Sequence, residues 1–369
     1  MPKARETVLE IDLNALKHNF EYIKSKLKKD TKILAVVKAF AYGSDTNTVA
    51  KYLQDLEVDY FAVAYVSEGV ALRDAGITTP ILVLHPQAVN FKTLIQRCLE
   101  PSLYNAKVLT EFITAASEEK QNNYPVHVKF NTGLNRLGFR ENDVDDIVSQ
   151  LKETTSIKVK SLFSHLAASE DLTEKEFTQN QIKSFKRISD AFSKTIGYQP
   201  KLHLANTSGI INYPESHLDM VRTGIGLYGF GNSEAENKHL KPIATLKSVI
   251  SQIHNIKKGE TVGYNRAYKS EHFEKTATIP IGHADGIGRQ YGNQKGFVTI
   301  NGEKAPIIGN VCMDMIMVNI TDIECHEGDE VIIFGNHPNA SQFAGTADTI
   351  SYEIITAISQ RVKRYIIND

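Results

Sequence analysis

The chain has little cysteine, and its three cysteines are far apart. They are Cys98, Cys312 and Cys325, and none forms a C-x-x-C pair. This count and spacing exclude a disulfide framework and a zinc knuckle. They are typical of a reducing compartment, so we expect a cytoplasmic protein with no structural metal.

Long hydrophobic runs and an excess of one charge are also missing. No run approaches the roughly 20 apolar residues of a membrane span, and Met1–Glu6 lacks the apolar core of a secretory leader. Lys and Arg total 42 against 43 Asp and Glu, which gives a formal net charge of −1. With no basic cluster, neither nucleic acid nor a membrane is an expected partner.

What remains is an ordinary globular composition, with 41% hydrophobic and 23% charged residues. This excludes a disordered chain, which needs few apolar residues and a high net charge. At 369 residues, the chain exceeds the roughly 250–300 residues at which a single core stops growing. We therefore expect two domains.

The first two-thirds of the chain alternates short apolar runs with helical patterns. In one such pattern Leu13, Leu16, Phe20, Ile23 and Leu27 share a helical face that follows Asp12, a candidate N-cap. The eight runs lie at residues 33–37, 60–64, 81–84, 99–104, 126–130, 159–163, 202–205 and 220–227. Continuous apolar runs are typical of buried parallel strands, so the pattern predicts a TIM-like (β/α)8 barrel. A doubly wound open sheet is the alternative, but no G-x-G-x-x-G follows the first strand.

The character of the sequence changes near residue 230. Residues 229–242 resemble a linker, and later runs such as 311–320 and 330–334 alternate with period two between glycine-containing turns. We therefore predict a barrel over 1–235 and a mainly-β domain over 236–369, with residues 1–10 as candidates to pair with the second domain. A final helix is predicted, with Asp348 as its cap and one apolar face formed by Ile350, Ile354, Ile355, Ile358 and Val362.

A barrel carries its chemistry at the carboxyl ends of its strands. Lys38 directly follows the first apolar run. Desolvation there would lower the pKa of its amine, as a Schiff-base lysine requires. Position alone favours the simpler alternative, a lysine that extends into solvent.

Small polar residues follow the last two barrel runs, at 206–209 and 222–226. Such segments let backbone N–H groups approach a phosphate, although the same residues also fill ordinary turns. A Schiff-base lysine and a phosphate cradle in one barrel mouth together imply a phosphorylated aldehyde cofactor. Pyridoxal 5′-phosphate is the obvious candidate.

Residues 35–43, with the sequence AVVKAFAYG, resemble the cofactor-lysine segment of alanine racemases. Further segments are similar to that family in the same order along the chain, at residues 10–16, 129–138, 163–167, 203–207, 221–229, 281–286, 311–314 and 352–354. The resemblance implies a barrel followed by a β domain. It also implies a homodimer in which each active site is completed by the second domain of the partner.

The resemblance further implies interconversion of L- and D-alanine, which supplies D-alanine for cell-wall peptidoglycan. Removing the Cα proton and returning it to the opposite face needs two bases, and the matching residues are Lys38 and Tyr264. Lys38 also holds the cofactor covalently. A free tyrosine titrates near pH about 10, so a network through His165 and Arg222 is expected to assist Tyr264.

Other roles are implied for residues at matching positions. Arg136 and the backbone N–H of Met313 would bind the substrate carboxylate. Lys129 matches a lysine that is often carbamylated, although Asn131 stands where the family usually has Asp. The positions implied for the cofactor are Lys38, Tyr42, His165, Asn206, Thr207, Arg222, Gly224, Ile225 and Tyr352.

Arg222 carries a physical argument of its own. An arginine only donates hydrogen bonds and stays charged, so beside the pyridine nitrogen it would leave that nitrogen unprotonated. The ring would then be a weaker electron sink, and reprotonation at Cα would be favoured over transamination.

Three alternatives remain open at this point. One is a serine or broad-specificity racemase of the same fold, because a pocket larger by one hydroxymethyl group discriminates weakly. Another is a non-catalytic pyridoxal-phosphate-binding protein. The third is a metal-dependent barrel hydrolase that uses His165, His203, His283 and Asp285, although no closely spaced ligand set accompanies them.

Overall fold

The computed structural model describes residues 6–367. Residues 1–5, which make up most of the opening segment without an apolar core, lie outside that range. Within it, no helix has both the length and the apolar character needed to cross a membrane.

The chain begins with β1 (Val8–Asp12) and α1 (Leu13–Ser25). Asp12 caps α1 as predicted, because its side-chain oxygen accepts a hydrogen bond from the Ala15 N–H over 2.9 Å. Leu16, Phe20 and Ile23 are buried along one face of the helix. This face packs α1 against the protein core.

Eight strands, β2 to β9, form a closed parallel barrel in chain order. β2 pairs with β9 as well as with β3, which closes the ring. The barrel prediction is therefore confirmed, and the open doubly wound sheet is wrong. The strands are β2 (Lys32–Val36), β3 (Tyr60–Val63), β4 (Ile81–Val83), β5 (Glu100–Leu103), β6 (Tyr124–Lys129), β7 (Ile157–Phe163), β8 (Lys201–His203) and β9 (Met220–Thr223).

Helical segments lie in the connections between these strands, and the first of them, Lys38–Gly43, has left-handed backbone at residues 39–42. The longest, α8, ends at Gly197, whose φ of 87° suits a glycine cap. The helices are α2 (Lys38–Gly43), α3 (Thr46–Asp55), α4 (Val66–Asp74), α5 (Phe91–Gln96), α6 (Ala106–Glu118), α7 (Val144–Lys152), α8 (Lys175–Ile196) and α9 (Thr207–Asn212).

The segment after the barrel is more than a linker. It contains α10 (Glu234–Asn237), within which the predicted boundary at 235/236 falls. The buried Glu236 side chain accepts hydrogen bonds from Ser208 Oγ over 3.0 Å and from Asn212 Nδ2 over 2.8 Å. These bonds attach the connection to the barrel.

The remaining strands form the β-rich part of the chain. β1 lies in the same sheet, antiparallel to β10 and parallel to β19, so the chain passes through this sheet before it enters the barrel. The sheet order is β11-β14-β17-β16-β15-β18-β10-β1-β19, and β12 and β13 form a separate ribbon. The strands are β10 (Ala244–Val249), β11 (Gln252–Ile256), β12 (Thr261–Val262), β13 (Tyr268–Lys269), β14 (Glu274–Ile279), β15 (Phe297–Ile300), β16 (Glu303–Ile308), β17 (Ile316–Asn319), β18 (Glu330–Phe334) and β19 (Lys363–Ile367).

Two helices, α11 (Ala340–Gly345) and α12 (Ser351–Ala357), precede β19. Asp348 does not cap α12: its φ is 57°, and the residue directly before the helix is Ile350. Ile350 is 59% exposed, whereas Ile354 and Ile355 are buried as predicted. The predicted helix therefore exists, but it begins later because the chain still turns away from α11 at Asp348.

Candidate active site

The carboxyl end of the barrel gathers cationic side chains from several strands. Lys38 follows β2, Lys129 ends β6, and Arg222 lies in β9. The charge of Arg136 lowers the pKa of both lysines. A concentration of positive charge in one mouth favours an anionic ligand.

Lys38 is followed by a left-handed turn. Ala39, Phe40, Ala41 and Tyr42 have φ angles of 52°, 55°, 51° and 53°, although none is glycine. This conformation costs an L-residue roughly 1–2 kcal/mol. Strained backbone of this kind concentrates at functional sites.

Contacts from other elements stabilise this turn. Oε1 of Glu68 accepts a hydrogen bond from the Ala39 N–H over 2.6 Å. Gly43 has a φ of 80° and packs so closely on the Ile355 backbone that a Cβ there would overlap it. α12 therefore helps to fix the chain direction directly after Lys38.

The environment of Lys38 favours its neutral amine. Burial is the main cause that lowers its pKa from 10.5, and the charge of Arg136 adds to the effect. Glu68 opposes both. A larger neutral fraction gives the amine the nucleophilic character that a covalent bond to an aldehyde requires.

Arg222 is buried and held by five hydrogen bonds. Nη1 donates to Nδ1 and to the backbone carbonyl of His203, over 3.0 and 3.2 Å. Nη2 donates to the Ser164 and Leu204 carbonyls and to Nδ1 of His165, over 2.6, 3.1 and 3.1 Å. Burial lowers the pKa of Arg222 to about 9, and Nε makes no hydrogen bond to any described residue.

His165 follows β7 and is neutral in this setting. Burial, followed by the charges of Arg222, Arg136, Lys129 and Lys38, lowers its pKa well below 6.5. Because Nδ1 accepts from a guanidinium, the ring proton is on Nε2. The predicted link between His165 and Arg222 is therefore present.

Four of the residues expected to bind phosphate lie close together. The closest atom to a Cβ built on Gly224 would be the hydroxyl oxygen of Tyr42, so only glycine fits there. The Thr207 hydroxyl lies 3.3 Å from Thr223 Oγ1 and accepts from the Gly226 N–H over 3.3 Å. Ile225 is buried directly after Gly224.

Two tyrosines contribute hydroxyl donors at the same end of the barrel. The rings of Tyr42 and Tyr352 are 6.0 Å apart, and Tyr42 also stacks on Tyr228 at 4.4 Å. Burial raises the pKa of Tyr42 and raises that of Tyr352 to about 12, so both hydroxyls keep their protons. Protonated phenols are suitable donors to a phosphate dianion.

The side chain of Asn206 caps the N-terminus of α9. Oδ1 accepts from the Gly209 N–H over 2.9 Å and from Ser169 Oγ over 2.8 Å, which makes Asn206 the N-cap of α9. The side chain thereby positions Thr207, the first residue of that helix.

Lys129 and Arg136 border the same mouth. Lys129 is buried, and burial followed by the charges of Arg222, Arg136 and Lys38 lowers its pKa to about 8. Asn131 carries a neutral amide in place of the carboxylate that is usual in the family, and its Oδ1 accepts hydrogen bonds from the Gly133 and Asn135 N–H groups over 3.1 and 3.0 Å.

The structure does not place Tyr264 or Met313 at the mouth of the barrel of their own chain. They are 73% and 58% exposed, and they line an open cavity together with Gly263, Cys312, Asp314 and other residues that follow the barrel in sequence. The Met313 N–H makes no hydrogen bond to any residue of 6–367. An exposed phenol and a free backbone donor thus lie side by side, separate from Lys38.

These residues fit a phosphorylated aldehyde. Lys38 offers a partly desolvated amine, and Arg222 retains Nε as a donor that has no partner among the described residues. The cradle at Gly224 excludes a side chain and brings hydroxyl groups together. The donor set is cationic and neutral, as binding of a dianion requires.

Two of the residues considered as metal ligands of a hydrolase, His203 and Asp285, bind other side chains in the structure. His203 is bonded through Nδ1 to Arg222 and through Nε2 to Ser161. Asp285 lies outside the barrel and pairs with Arg361 over 2.7 Å. Within residues 6–367, no group of three or more His, Cys, Asp and Glu side chains is arranged to hold a metal ion.

Sequence reasoning missed part of the polar interior of the barrel. Glu100, His127 and Ser161 are buried there and connect to His203, which had been considered only as a metal ligand. The sequence does contain a signal for this network: these three polar residues lie inside apolar runs that predict fully buried strands, where a polar side chain needs a hydrogen-bond partner.

Comparison with known proteins gives one consistent result. Residues 11–231 match the model of the alanine racemase N-terminal domain, and residues 243–366 match that of the C-terminal domain. An alanine racemase of Halothermothrix orenii is 37% identical over 368 residues, which cover 98% of this chain and 96% of the relative. The match to both alanine racemase domains disfavours the non-catalytic alternative.

Solved structures agree over the whole length. The alanine racemase of Clostridium difficile 630 superposes with a TM-score of 0.93 at 35% identity and covers 100% of this chain and 97% of its own. An alanine racemase from Bartonella henselae, with covalently bound pyridoxal phosphate, has a TM-score of 0.89 at 28% identity and covers 99% of this chain and 100% of its own.

Proposed function

Because this chain belongs to the alanine racemase family, it is a pyridoxal-phosphate-dependent isomerase that interconverts L- and D-alanine, and we propose that Lys38 and Tyr264 are its two bases. The observation that supports this assignment is that the two side chains lie in different domains and in different environments. Lys38 is a partly desolvated amine in the barrel mouth, and Tyr264 is an exposed phenol in the other domain.

Racemisation requires that the proton removed from one face of Cα be replaced from the other face. The bound cofactor withdraws electrons from Cα and so makes its proton more acidic. Lys38 Nζ, with its lowered pKa, takes or returns the proton on one face. Tyr264 Oη does the same on the opposite face.

Arg222 and His165 support this pair. The Nε donor of Arg222 would face the pyridine nitrogen and leave it unprotonated, so that racemisation dominates over transamination. His165 carries its proton on Nε2 and would donate it to the oxygen of Tyr264. A donor there stabilises the phenolate that a tyrosine base requires.

The remaining assignments concern binding. Tyr42, Thr207, Gly224, Ile225 and Tyr352 would hold the phosphate, with Asn206 positioning Thr207. The substrate carboxylate would be bound by Arg136 and by the Met313 N–H. A carbamate on Lys129 would place an anion beside Arg136, in a region where Asn131 supplies none.

The separation of Tyr264 from the barrel mouth supports a homodimer. We propose that Tyr264 and Met313 of the partner subunit complete each active site, because in one chain they line a surface cavity that contains no barrel residue. We place the enzyme in the cytoplasm, where its three free cysteines fit a reducing environment. Its D-alanine would supply cell-wall peptidoglycan.

Mixing two inactive variants tests the shared site. Lys38→Ala lacks one base and Tyr264→Phe lacks the other, so each homodimer should be inactive. A heterodimer has one site with both residues intact. Random exchange makes half of the dimers mixed and leaves half of their sites intact, so about a quarter of wild-type activity should return.

The measurement is D-alanine formation after the two variants are unfolded together and refolded with pyridoxal phosphate. Lys17→Ala, on the exposed surface of α1, serves as the matched control for Lys38→Ala and should retain full activity. If the mixture stays inactive while the wild type recovers from the same treatment, the shared site is wrong.

A further inference from the structure

A continuous chain of hydrogen bonds runs through the barrel beneath Arg222. Arg222 Nη1 lies 3.0 Å from Nδ1 of His203, and His203 Nε2 lies 2.8 Å from Ser161 Oγ. Ser161 Oγ lies 2.5 Å from Nδ1 of His127, whose Nε2 lies 2.7 Å from Oε2 of Glu100. All five side chains are buried.

The direction of these bonds follows from their first member. A guanidinium can only donate, so Nδ1 of His203 accepts and Nε2 carries the ring proton. Nε2–H then donates to the Ser161 oxygen, which is free to donate its own proton to His127. Because Nδ1 of His127 then accepts, the ring proton of His127 is on Nε2 and is donated to Glu100. Every donor in the chain therefore points away from Arg222.

The hydrogen-bond chain ends at the carboxylate of Glu100, near the end of the barrel opposite the active-site mouth. Glu100 is the first residue of β5, whereas the active-site mouth lies at the carboxyl ends of the strands. Its Oε1 accepts from Lys160 Nζ over 2.9 Å, and its Oε2 also accepts from the Tyr60 hydroxyl over 3.2 Å. Burial raises the pKa of Glu100, but the bonds from His127 and Lys160 outweigh it and keep the pKa below its ordinary value.

Polar residues in this position need an explanation. The interior of such a barrel is normally filled by branched apolar side chains, and a buried polar network is tolerated only when its members are satisfied. Among the described residues, no carboxylate oxygen lies within 4.0 Å of the buried Arg222. The hydrogen-bond chain links this cation to the anion of Glu100.

We propose that Glu100 is a positioning residue for Arg222. Its carboxylate is an obligatory acceptor, so this end of the hydrogen-bond chain requires the same direction that Arg222 requires at the other end. Glu100 thereby helps to keep Nδ1 of His203 as an acceptor toward Arg222. The proposal rests on the proposed function, in which Arg222 faces the pyridine nitrogen of the cofactor.

The opposite direction would disturb the active site. If Nδ1 of His203 carried a proton, it would face the N–H of Arg222, so two donors would oppose each other. Arg222 would lose this bond, and its guanidinium would be less firmly held. A residue at the far end of the barrel would thereby affect how the cofactor ring is recognised.

Two variants interrupt the hydrogen-bond chain at different residues. Ser161→Ala removes only the central hydroxyl, and Glu100→Leu removes the terminal acceptor. Ser102→Ala is the matched control, because its hydroxyl is also buried in the barrel on the same strand as Glu100 but has no partner in residues 6–367. Because Ser161→Ala is a small change, the test does not depend on Glu100→Leu folding.

The first readout is ¹⁵N NMR of the holoenzyme labelled at histidine. In the wild type, both His127 and His203 should carry their proton on Nε2. Ser161→Ala should alter the His203 ring signals, and so should Glu100→Leu, although Glu100 does not touch His203. Ser102→Ala should leave them unchanged.

The second readout is kinetic. Ser161→Ala should lower kcat about tenfold with little change in KM, and it should raise the fraction of turnovers that end in transamination. A proton on Nδ1 of wild-type His203, or His203 signals and kcat unchanged in Ser161→Ala, would overturn the proposal. The NMR result does not depend on turnover, so a failure of the racemase assignment would be seen separately.

Discussion

Nη2 of Arg222 lies 3.1 Å from Nδ1 of His165, and this contact fixes the state of the histidine. Because a guanidinium only donates, Nδ1 accepts and the proton lies on Nε2. Burial and the charge of Arg222 lower the pKa of His165 well below 6.5, so the ring is neutral near pH 7. Arg222 thus serves two proposed purposes, one at the cofactor ring and one at the tyrosine base.

Tyr264→Phe should separate the two directions of proton transfer. Losing a general base costs about 10²- to 10⁴-fold in rate, and the Cα proton of only one enantiomer should still exchange, through Lys38. The measurement is deuterium incorporation into L- and D-alanine in D₂O. The substitution removes a single oxygen atom from a side chain that is 73% exposed in the single chain, so the melting temperature should change little.

Tyr365→Phe is a suitable control for this variant, because Tyr365 is another exposed tyrosine outside the proposed site. It should exchange both enantiomers at the wild-type rate. Unchanged exchange of both enantiomers in Tyr264→Phe would contradict its role as a base.

Arg222→Glu should increase transamination relative to racemisation. A carboxyl group can keep the pyridine nitrogen protonated, which makes the ring a stronger electron sink. The measurement compares keto-acid formation with D-alanine formation. The substitution also removes the donor from three buried carbonyls, so circular dichroism should first show that the variant is folded.

Arg222→Gln is the less disruptive companion of that variant. It removes the charge but adds no acid, so it should lower racemisation without the same gain in transamination. Equal product ratios in the wild type and both folded variants would argue against the electron-sink account.

Gly224→Ala should weaken cofactor binding, since the added Cβ would overlap the Tyr42 hydroxyl. We expect the Kd for pyridoxal phosphate to rise at least tenfold, corresponding to about 1.4 kcal/mol. The measurement is titration of the apoenzyme. Gly345→Ala is the control, because a Cβ there meets no atom within 4 Å; equal affinities of the two variants would count against the cradle.

Lys129 should form a carbamate with dissolved CO₂. Only the neutral amine reacts, and a pKa of about 8 leaves about half of it neutral at pH 8. An ordinary lysine is almost fully charged there. Incubation with ¹³C-bicarbonate should give a carbamate NMR signal, which grows from pH 6 to pH 8 at constant dissolved CO₂.

Lys129→Arg should abolish that signal, and Lys186→Arg, on the exposed side of α8, should keep it. A signal that survives in Lys129→Arg would belong to another amine. The absence of any signal in the wild type would show that Lys129 remains a cation.

Much of the fold follows from local pattern. A strand buried on both faces must be apolar throughout, so the runs that contain Ile33, Phe61 and Leu82 predict barrel strands. Asp12 as a helix cap follows from its position before the apolar face of α1. Asp348 has the same chemistry, yet it caps no helix in residues 6–367, because its backbone still belongs to the turn after α11.

The apolar and period-two patterns of the amino-acid sequence predict the barrel and the β-rich second domain, and the family resemblance identifies the candidate residues. Two features depend on contacts between distant parts of the chain. The turn after Lys38 is left-handed without glycine because Glu68 and the Ile355 backbone hold it. The hydrogen-bond chain from Glu100 to Arg222 joins residues on five strands. No local sequence pattern encodes these pairs, because hydrogen bonds depend on distance in space rather than on distance along the sequence.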